Sequence, residues 1–226
     1  MAKQSMRALA IVFATTLIAS SQTSIVSAAT PKKGLVCNKI GQTFGKGSKK
    51  LTCAPVTKLR WLSTPVKPPA GSIFAPANVN QSIRIGNADF AVKEIDFGIG
   101  VEICQQNPFN EGCVLGPKLQ GLVDVNSDVR WIAINLEIEN GYQNTFAPSF
   151  NDYVFYLVQE NNELIENNVA AVISKSLFDL SIETGESSSG QVVFSVPKSI
   201  GSLNPLLVIR DQSTKTTKDY YFLLDW

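Results

Sequence analysis

Arg130–Glu139 reads RWIAINLEIE, and its reading decides the fold. Ile132, Ile134, Leu136 and Ile138 alternate with Ala133, Asn135, Glu137 and Glu139, the period of two that a β-strand shows when one face is buried and the other is wet. Asn140-Gly141 breaks the run, Tyr153–Val158 (YVFYLV) restarts it, and Asn161-Asn162 breaks it again. Gln191–Val196 ends at Pro197, Leu206–Arg210 follows, and Asp219–Trp226 closes the chain. Upstream, Ile83–Ile85 and Phe90–Ile95 have the same character. Some seven short strands without a convincing amphipathic helix predict an all-β antiparallel sandwich over residues 81–226 rather than an α/β fold. Residues 169–180 are the one helical competitor, and are expected as a strand or an irregular loop.

Before the sandwich the composition changes. Residues 63–80 hold Pro65, Pro68, Pro69, Gly71 and Pro76, which suits an extended linker. Residues 30–70 carry nine Lys/Arg and no acid, whereas residues 71–226 carry nine Lys/Arg against nineteen Asp/Glu, a balance of −10. Such segregation marks a boundary and suggests different partners for the two parts. Residues 30–62 are too few to bury a core unaided, so a staple is expected there. Of the three pairings that four cysteines allow, two local bridges are expected, Cys37–Cys53 in the basic module and Cys104–Cys113 in the sandwich. A four-cysteine metal site lacks any Cys-x-x-Cys knuckle. Residues 1–29 have the order of a secretory signal peptide: Lys3 and Arg7, an apolar stretch over 8–19, and Ser27-Ala28-Ala29 for cleavage. Twelve apolar residues span roughly 18 Å as a helix, short of a bilayer's hydrocarbon core. Export without a transmembrane anchor after cleavage is therefore expected, to the extracellular side and the cell envelope, where disulfides persist.

The chain of 226 residues contains no His, which excludes Ser-His-Asp and Cys-His catalysis, His-ligated zinc and an imidazole pH switch. Asp124, Asn126 and Asp128 have the opening spacing of a calcium loop, but Val129 and Asn135 stand where Gly and Glu are needed, so a turn is expected with at most weak calcium binding. Glu137 and Glu139 sit on one strand face roughly 7 Å apart, a separation compatible with sugar hydrolysis, but without a cleft or partner motif they are expected as solubilising charges on the wet face of an amphipathic strand. Ser187-Ser188-Ser189 lacks a nucleophile elbow, and Ser195-x-x-Lys198 lacks its partner boxes. No catalytic residue, metal or cofactor is assigned. The strongest functional signal is the KGSKK run, Lys46, Lys49 and Lys50, with Arg60 nearby, which suits anionic wall polymers, anionic lipid or extracellular nucleic acid, the alternative being a solvated stapled tail or a segment that docks on the acidic sandwich. Trp61 and Phe44 are available in principle for stacking. No recognition helix or aromatic nucleic-acid motif is visible, so specific nucleic-acid reading is not expected.

The succession WIAINLEIEN (131–140), YVFYLVQENNELIE (153–166) and IETGESSSGQVVFSVP (182–197) resembles the telokin-like, immunoglobulin-like domain of unknown function of secreted proteins and lipoproteins of Gram-positive bacteria. Asn140, Thr184-Gly185-Glu186 and Phe194–Pro197 fall where that family has a strand-ending Asn, a turn and an F-x-V-P strand end. The resemblance implies an immunoglobulin-like antiparallel β-sandwich and supplies no catalytic residues; the Cys104–Cys113 insertion departs from the pattern. Residues 37–61 resemble small basic modules of actinobacterial secreted proteins, through Cys37-Asn38-Lys39-Ile40-Gly41, Cys53 and Trp61. The expected function is a secreted, non-enzymatic binding protein of the envelope. Its basic module tethers it to anionic polymers, and the sandwich loops, with Pro108 and Phe109, take a protein or glycan. The alternatives are a carboxylate-dependent hydrolase of wall polymers and a purely structural surface domain.

Overall fold

The computed structural model describes residues 30–38, 41–55, 59–65, 67–115, 123–125, 128–161 and 163–224. Residues 1–29, expected as a signal peptide, lie outside them. In chain order the strands are β1 (Thr43–Phe44), β2 (Leu51–Pro55), β3 (Leu59–Ser63), β4 (Ile83–Ile85), β5 (Ala88–Asp96), β6 (Cys113–Leu115), β7 (Val123–Val125), β8 (Val129–Glu139), β9 (Tyr153–Gln159), β10 (Leu164–Glu166), β11 (Ser187–Pro197), β12 (Leu203–Asp211) and β13 (Lys218–Leu223). One helix, α1 (Gly100–Gln106), lies between β5 and β6.

The fold is an antiparallel β-sandwich of two four-stranded sheets, ordered β11-β8-β5-β4 and β10-β9-β12-β13. β8 is its spine. All eleven of its residues pair with β11, from Val129 opposite Pro197 to Glu139 opposite Ser187. Ile132, Ile134, Leu136 and Ile138 face Phe155, Leu157, Leu207, Ile209 and Phe222 of the other sheet across the main core. Each such fully buried side chain stabilises by about 1.5–3 kcal/mol. The register of β12 on β9 shifts between Asn204 and Leu207, at Pro205, which has no N–H for the ladder and is accommodated by the irregularity.

The outer face of β8 is not uniformly wet, a correction to the alternation read from sequence. Trp131 and Ala133 are buried beneath Ile99, Ile103 and Ile173, together with Val193 of β11. Only from Asn135 onward does the outer face become polar and partly open, with Lys93 and Glu137 paired at 3.1 Å. The cover comes from α1 and from residues 171–173. Helix α1 was not expected, because seven residues are too short for a periodic signal. Residues 169–180 are irregular, with a 3-10 turn at Leu177–Asp179.

Residues 71–77 of the Pro-rich stretch run along the edge of β13. Gly71 accepts from the Tyr221 amide, Ala77 donates to the Tyr221 carbonyl and accepts from Leu223, and Ala77 is fully buried. An otherwise open sheet edge is thereby closed. In the basic module β1-β2-β3 form a small sheet, extended by a bridge from Val36 to Arg60. Both expected disulfides are present, Cys37–Cys53 and Cys104–Cys113. The first forms the module's core with Trp61. Among the described residues no helix is long and apolar enough to cross a membrane.

Candidate functional site

The Cys104–Cys113 insertion is braced from three sides. The disulfide closes the loop, Ser195 on β11 donates to Glu111 at 2.7 Å, and buried Asn110 pins the loop to the neighbouring segment. The Asn110 amide donates to the carbonyls of Ile103 (3.1 Å) and Val172 (2.9 Å), and its oxygen accepts from the Val172 amide (2.8 Å). The Gln106 side chain accepts from the amide of Ser174 at 2.7 Å. At the tip, the Asn107 side chain accepts from the Phe109 amide, the local turn that Asn-Pro chemistry favours. Phe109 is 90% exposed there, while Pro108 is half-buried. An aromatic ring held in water by so rigid a support has no role in the fold.

The segment that Asn110 holds is one wall of an open groove of about 400 Å³. Val169, Val172, Phe150, Phe178, Ser176 and Asp179 are among the lining side chains. Phe150, Val169 and Val172 are each more than half exposed, so the rim of the groove is apolar, and Val172 is bonded to Asn110, the chain neighbour of Phe109. Phe150 meets Phe178 edge-on at 6.3 Å, and Phe178 packs in turn on core Phe155 at 6.0 Å. The groove floor is thus continuous with the sandwich core. Asp179 is the single ionisable side chain in the lining, which gives no pair for acid and base work. A second open cavity, at the end of the β12–β13 hairpin, is lined by charged groups already engaged. Arg84 is bonded to Asp89, which holds its guanidinium pKa above the ordinary value, Asp211 accepts from the amide and hydroxyl of Ser213, and Lys218 lies over the Tyr220 ring.

In the basic module, the 3-10 turn Gly47–Lys49 follows exposed Lys46 and ends in exposed Lys49, and Lys50 is half-buried beside it. The three ion pairs among the described residues, Arg84–Asp89, Lys93–Glu137 and Arg210–Asp219, all lie in the sandwich. Two residues expected to bind are placed otherwise. Trp61 is 5% exposed and packs against the disulfide, so it is structural rather than a stacking platform. Arg60 is half-buried and donates to the Gly34 carbonyl.

The remaining sequence candidates do not converge. Glu137 is held by Lys93, and neither Glu137 nor Glu139 lines either cavity. Ser195 bonds to Glu111, while the Lys198 amide binds the Asp128 carbonyl. Asn126 lies outside the described residues, as does the side chain of Asp124, so the calcium reading falls largely outside them. Among the described residues no cluster of three or more Cys, Asp or Glu is gathered for a metal. Phe150 and Val172 were missed from sequence. Their one signal was apolar character inside turn-rich, aperiodic segments.

The family model described as Domain of unknown function (DUF4352) matches residues 77–215, from the edge segment on β13 to the β12–β13 turn. The chain belongs to this family. The DUF4352 region therefore contains both the groove and the disulfide insertion, and the basic module precedes it. No curated protein matches the chain. Among solved structures, the yjhA protein from Bacillus subtilis is 15% identical, with a TM-score of 0.41, covering 66% of this chain and 99% of that one. An uncharacterized beta-sandwich protein from Clostridium difficile 630 is 12% identical, with a TM-score of 0.41, 66% of this chain and 95% of that one. The secreted protein MPT63 from Mycobacterium tuberculosis is 12% identical, with a TM-score of 0.40, 67% of this chain and 98% of that one.

Proposed function

We propose that this DUF4352 protein is an exported, non-enzymatic binding protein of the cell envelope, whose sandwich takes a protein partner on the face formed by Phe109 and the adjoining groove. The observation that carries the reading is Phe109, fully presented on a loop braced by a disulfide, by Asn110 and by Glu111. Rigid exposed aromatics bordered by apolar surface are the usual anchors of protein interfaces, because little conformational freedom is lost when they are buried. A glycan would be met by several polar side chains around a ring, and this groove offers Asp179 and two serines. Export is supported by the two disulfides and by the charge and hydropathy order of residues 1–29. The basic module supplies a second, electrostatic attachment to an anionic envelope component through Lys46, Lys49 and Lys50.

The test is co-sedimentation of the protein with isolated envelopes over a salt series, for the parent chain, a Lys46→Ala/Lys49→Ala/Lys50→Ala variant and a Phe109→Ser/Val172→Ser variant. Loss of a salt-sensitive component in the first variant and of a salt-resistant component in the second is expected. Unchanged retention of both would overturn the reading. Turnover of wall polymers that is lost in Glu137→Gln would favour the hydrolase instead.

A further inference from the structure

The cavity at the end of the β12–β13 hairpin holds a buried carboxylate that the fold uses only in part. Leu207, Ile209 and Asp211 alternate onto the inner face of β12; the first two join the core, and Asp211 stands at its edge, 4% exposed. Both bonds that Asp211 accepts, from the Ser213 amide at 2.9 Å and the Ser213 hydroxyl at 2.6 Å, fall on Oδ1. Oδ2 faces the turn between β4 and β5, where a Cβ on Gly86 would lie 3.5 Å from it, 3.5 Å from Ser213 Oγ and 2.9 Å from Tyr153 Oη. Gly86 and Asp211 line the cavity of about 490 Å³ with Thr216, Thr217, Lys218 and Tyr220. Lys218 stands opposite Asp211 in the β12–β13 register, yet neither belongs to any of the three ion pairs among the described residues. The Lys218 ammonium instead lies 4.6 Å from the centroid of the Tyr220 ring. Arg84, the other cation of the lining, is bonded to Asp89 and lies against the Tyr142 ring, so it serves as wall. Opposite charges facing each other across two strands ordinarily join. Here a carboxylate and an ammonium stand apart in one cavity.

We infer that this cavity binds a free α-amino acid, with the ligand's ammonium on Asp211 Oδ2 and its carboxylate on the Lys218 ammonium. The site shares no residue with the groove that Phe150 and Val172 line, and it does not depend on the envelope reading above. A buried carboxylate is costly until its lone pairs meet a cation or N–H donors, and a primary ammonium supplies both. A purely cationic ligand would be opposed by Lys218, and a purely anionic one by Asp211. A zwitterion answers each group in turn, because the two protein charges sum to zero. One lysine balances a single negative charge, which suits a carboxylate better than a phosphate dianion. Charge-assisted bonds at both ends would fix the ligand's backbone, and the remaining volume beside Thr216, Thr217 and Tyr220 takes its side chain.

The experiment titrates the purified protein calorimetrically with the L-amino acids one at a time, beside their amides, which lack the carboxylate, and their N-acetyl forms, which lack the ammonium. At least one free amino acid is expected to bind below millimolar concentration, and both of its blocked forms to bind more weakly by roughly ten-fold or more. Asp211→Asn keeps an oxygen for the Ser213 bonds and removes the charge, while Lys218→Met keeps the stem and removes the ammonium. Each is expected to weaken binding roughly ten-fold. Circular dichroism verifies that the variants are folded, and Lys218, being exposed, tests the site even if Asp211→Asn fails to fold. Amides that bind as well as the free amino acid would make this a cation site, and N-acetyl forms that do so an anion site; either result overturns the inference. So would the absence of binding by every free amino acid at millimolar concentration, or binding that neither substitution weakens.

Discussion

Asn140 shows how one side chain can close a corner of the sandwich. It is fully buried, its amide donates to the carbonyls of Asn144 (2.7 Å) and Ile182 (2.8 Å), and its oxygen accepts from the Tyr142 amide (3.0 Å). Its backbone carbonyl takes the Gly185 amide, where Gly185 has a φ of 80° that suits glycine at the turn. Asn140→Ala strands the buried Ile182 carbonyl and removes two part-buried bonds, so a loss of about 1–3 kcal/mol in urea unfolding is expected. Tyr153 gives a pH prediction. Burial, reinforced by the nearby Asp211 carboxylate, pushes its phenol up to about 12 from 10.0. A raised folded-state pKa means that the neutral phenol contributes stability fully below about pH 10, and that this stability is lost as pH rises toward 12. The contribution is on the order of 2 kcal/mol. Unfolding free energy should fall over that window, and Tyr153→Phe should flatten the fall; the same slope in both proteins would count against the assignment. Burial also raises the Tyr221 phenol, so a smaller slope persists.

At the scale of elements, β11 and the 3-10 turn at Leu177–Asp179 are locked by a missing side chain. A Cβ on Gly190 would come within 2.6 Å of the Leu177 Cα, a backbone atom that cannot swing aside. Gly190→Ala therefore moves the turn that carries Phe178 and Asp179, with an expected cost of about 1–3 kcal/mol and a change in near-ultraviolet circular dichroism from the groove aromatics. The disulfide insertion is the second such element. Opening a loop with a sequence separation of 9 by Cys104→Ala/Cys113→Ala should cost roughly 2–3 kcal/mol through the unfolded chain. Amide exchange should rise over residues 100–113 and 169–174, which Asn110 and Gln106 join, before it rises in β8. Uniform protection across both regions would show the bridge to be dispensable. The alternation in RWIAINLEIE identified the strand and its inner face. It could not show that Trp131 and Ala133 are covered from outside, because the cover comes from residues some 30 to 40 positions away on each side.

For the whole molecule, the residues of the core and those of the proposed interface are different ones. Phe109 makes no core contact, so Phe109→Ser is expected to leave the unfolding midpoint within about 0.5 kcal/mol of the parent while removing salt-resistant envelope binding. Strand alternation, turn residues and the absence of His determined an all-β sandwich and excluded the commonest catalytic groups, since those depend on local pattern and composition. The two disulfides were legible because each closes within one short segment. Charge segregation, likewise, is a count. What only the tertiary structure decided is who is covered and who is open. Trp61 and Phe44 look alike in sequence, yet one is the floor of the module and the other is presented on it. Phe150 and Val172 come from separate loops and line one groove, the first supported by the Phe178 turn and the second bonded to Asn110, beside exposed Phe109 in the chain. Local sequence fixes the period of a strand; the exposure of a side chain depends on atoms that the chain brings back from elsewhere.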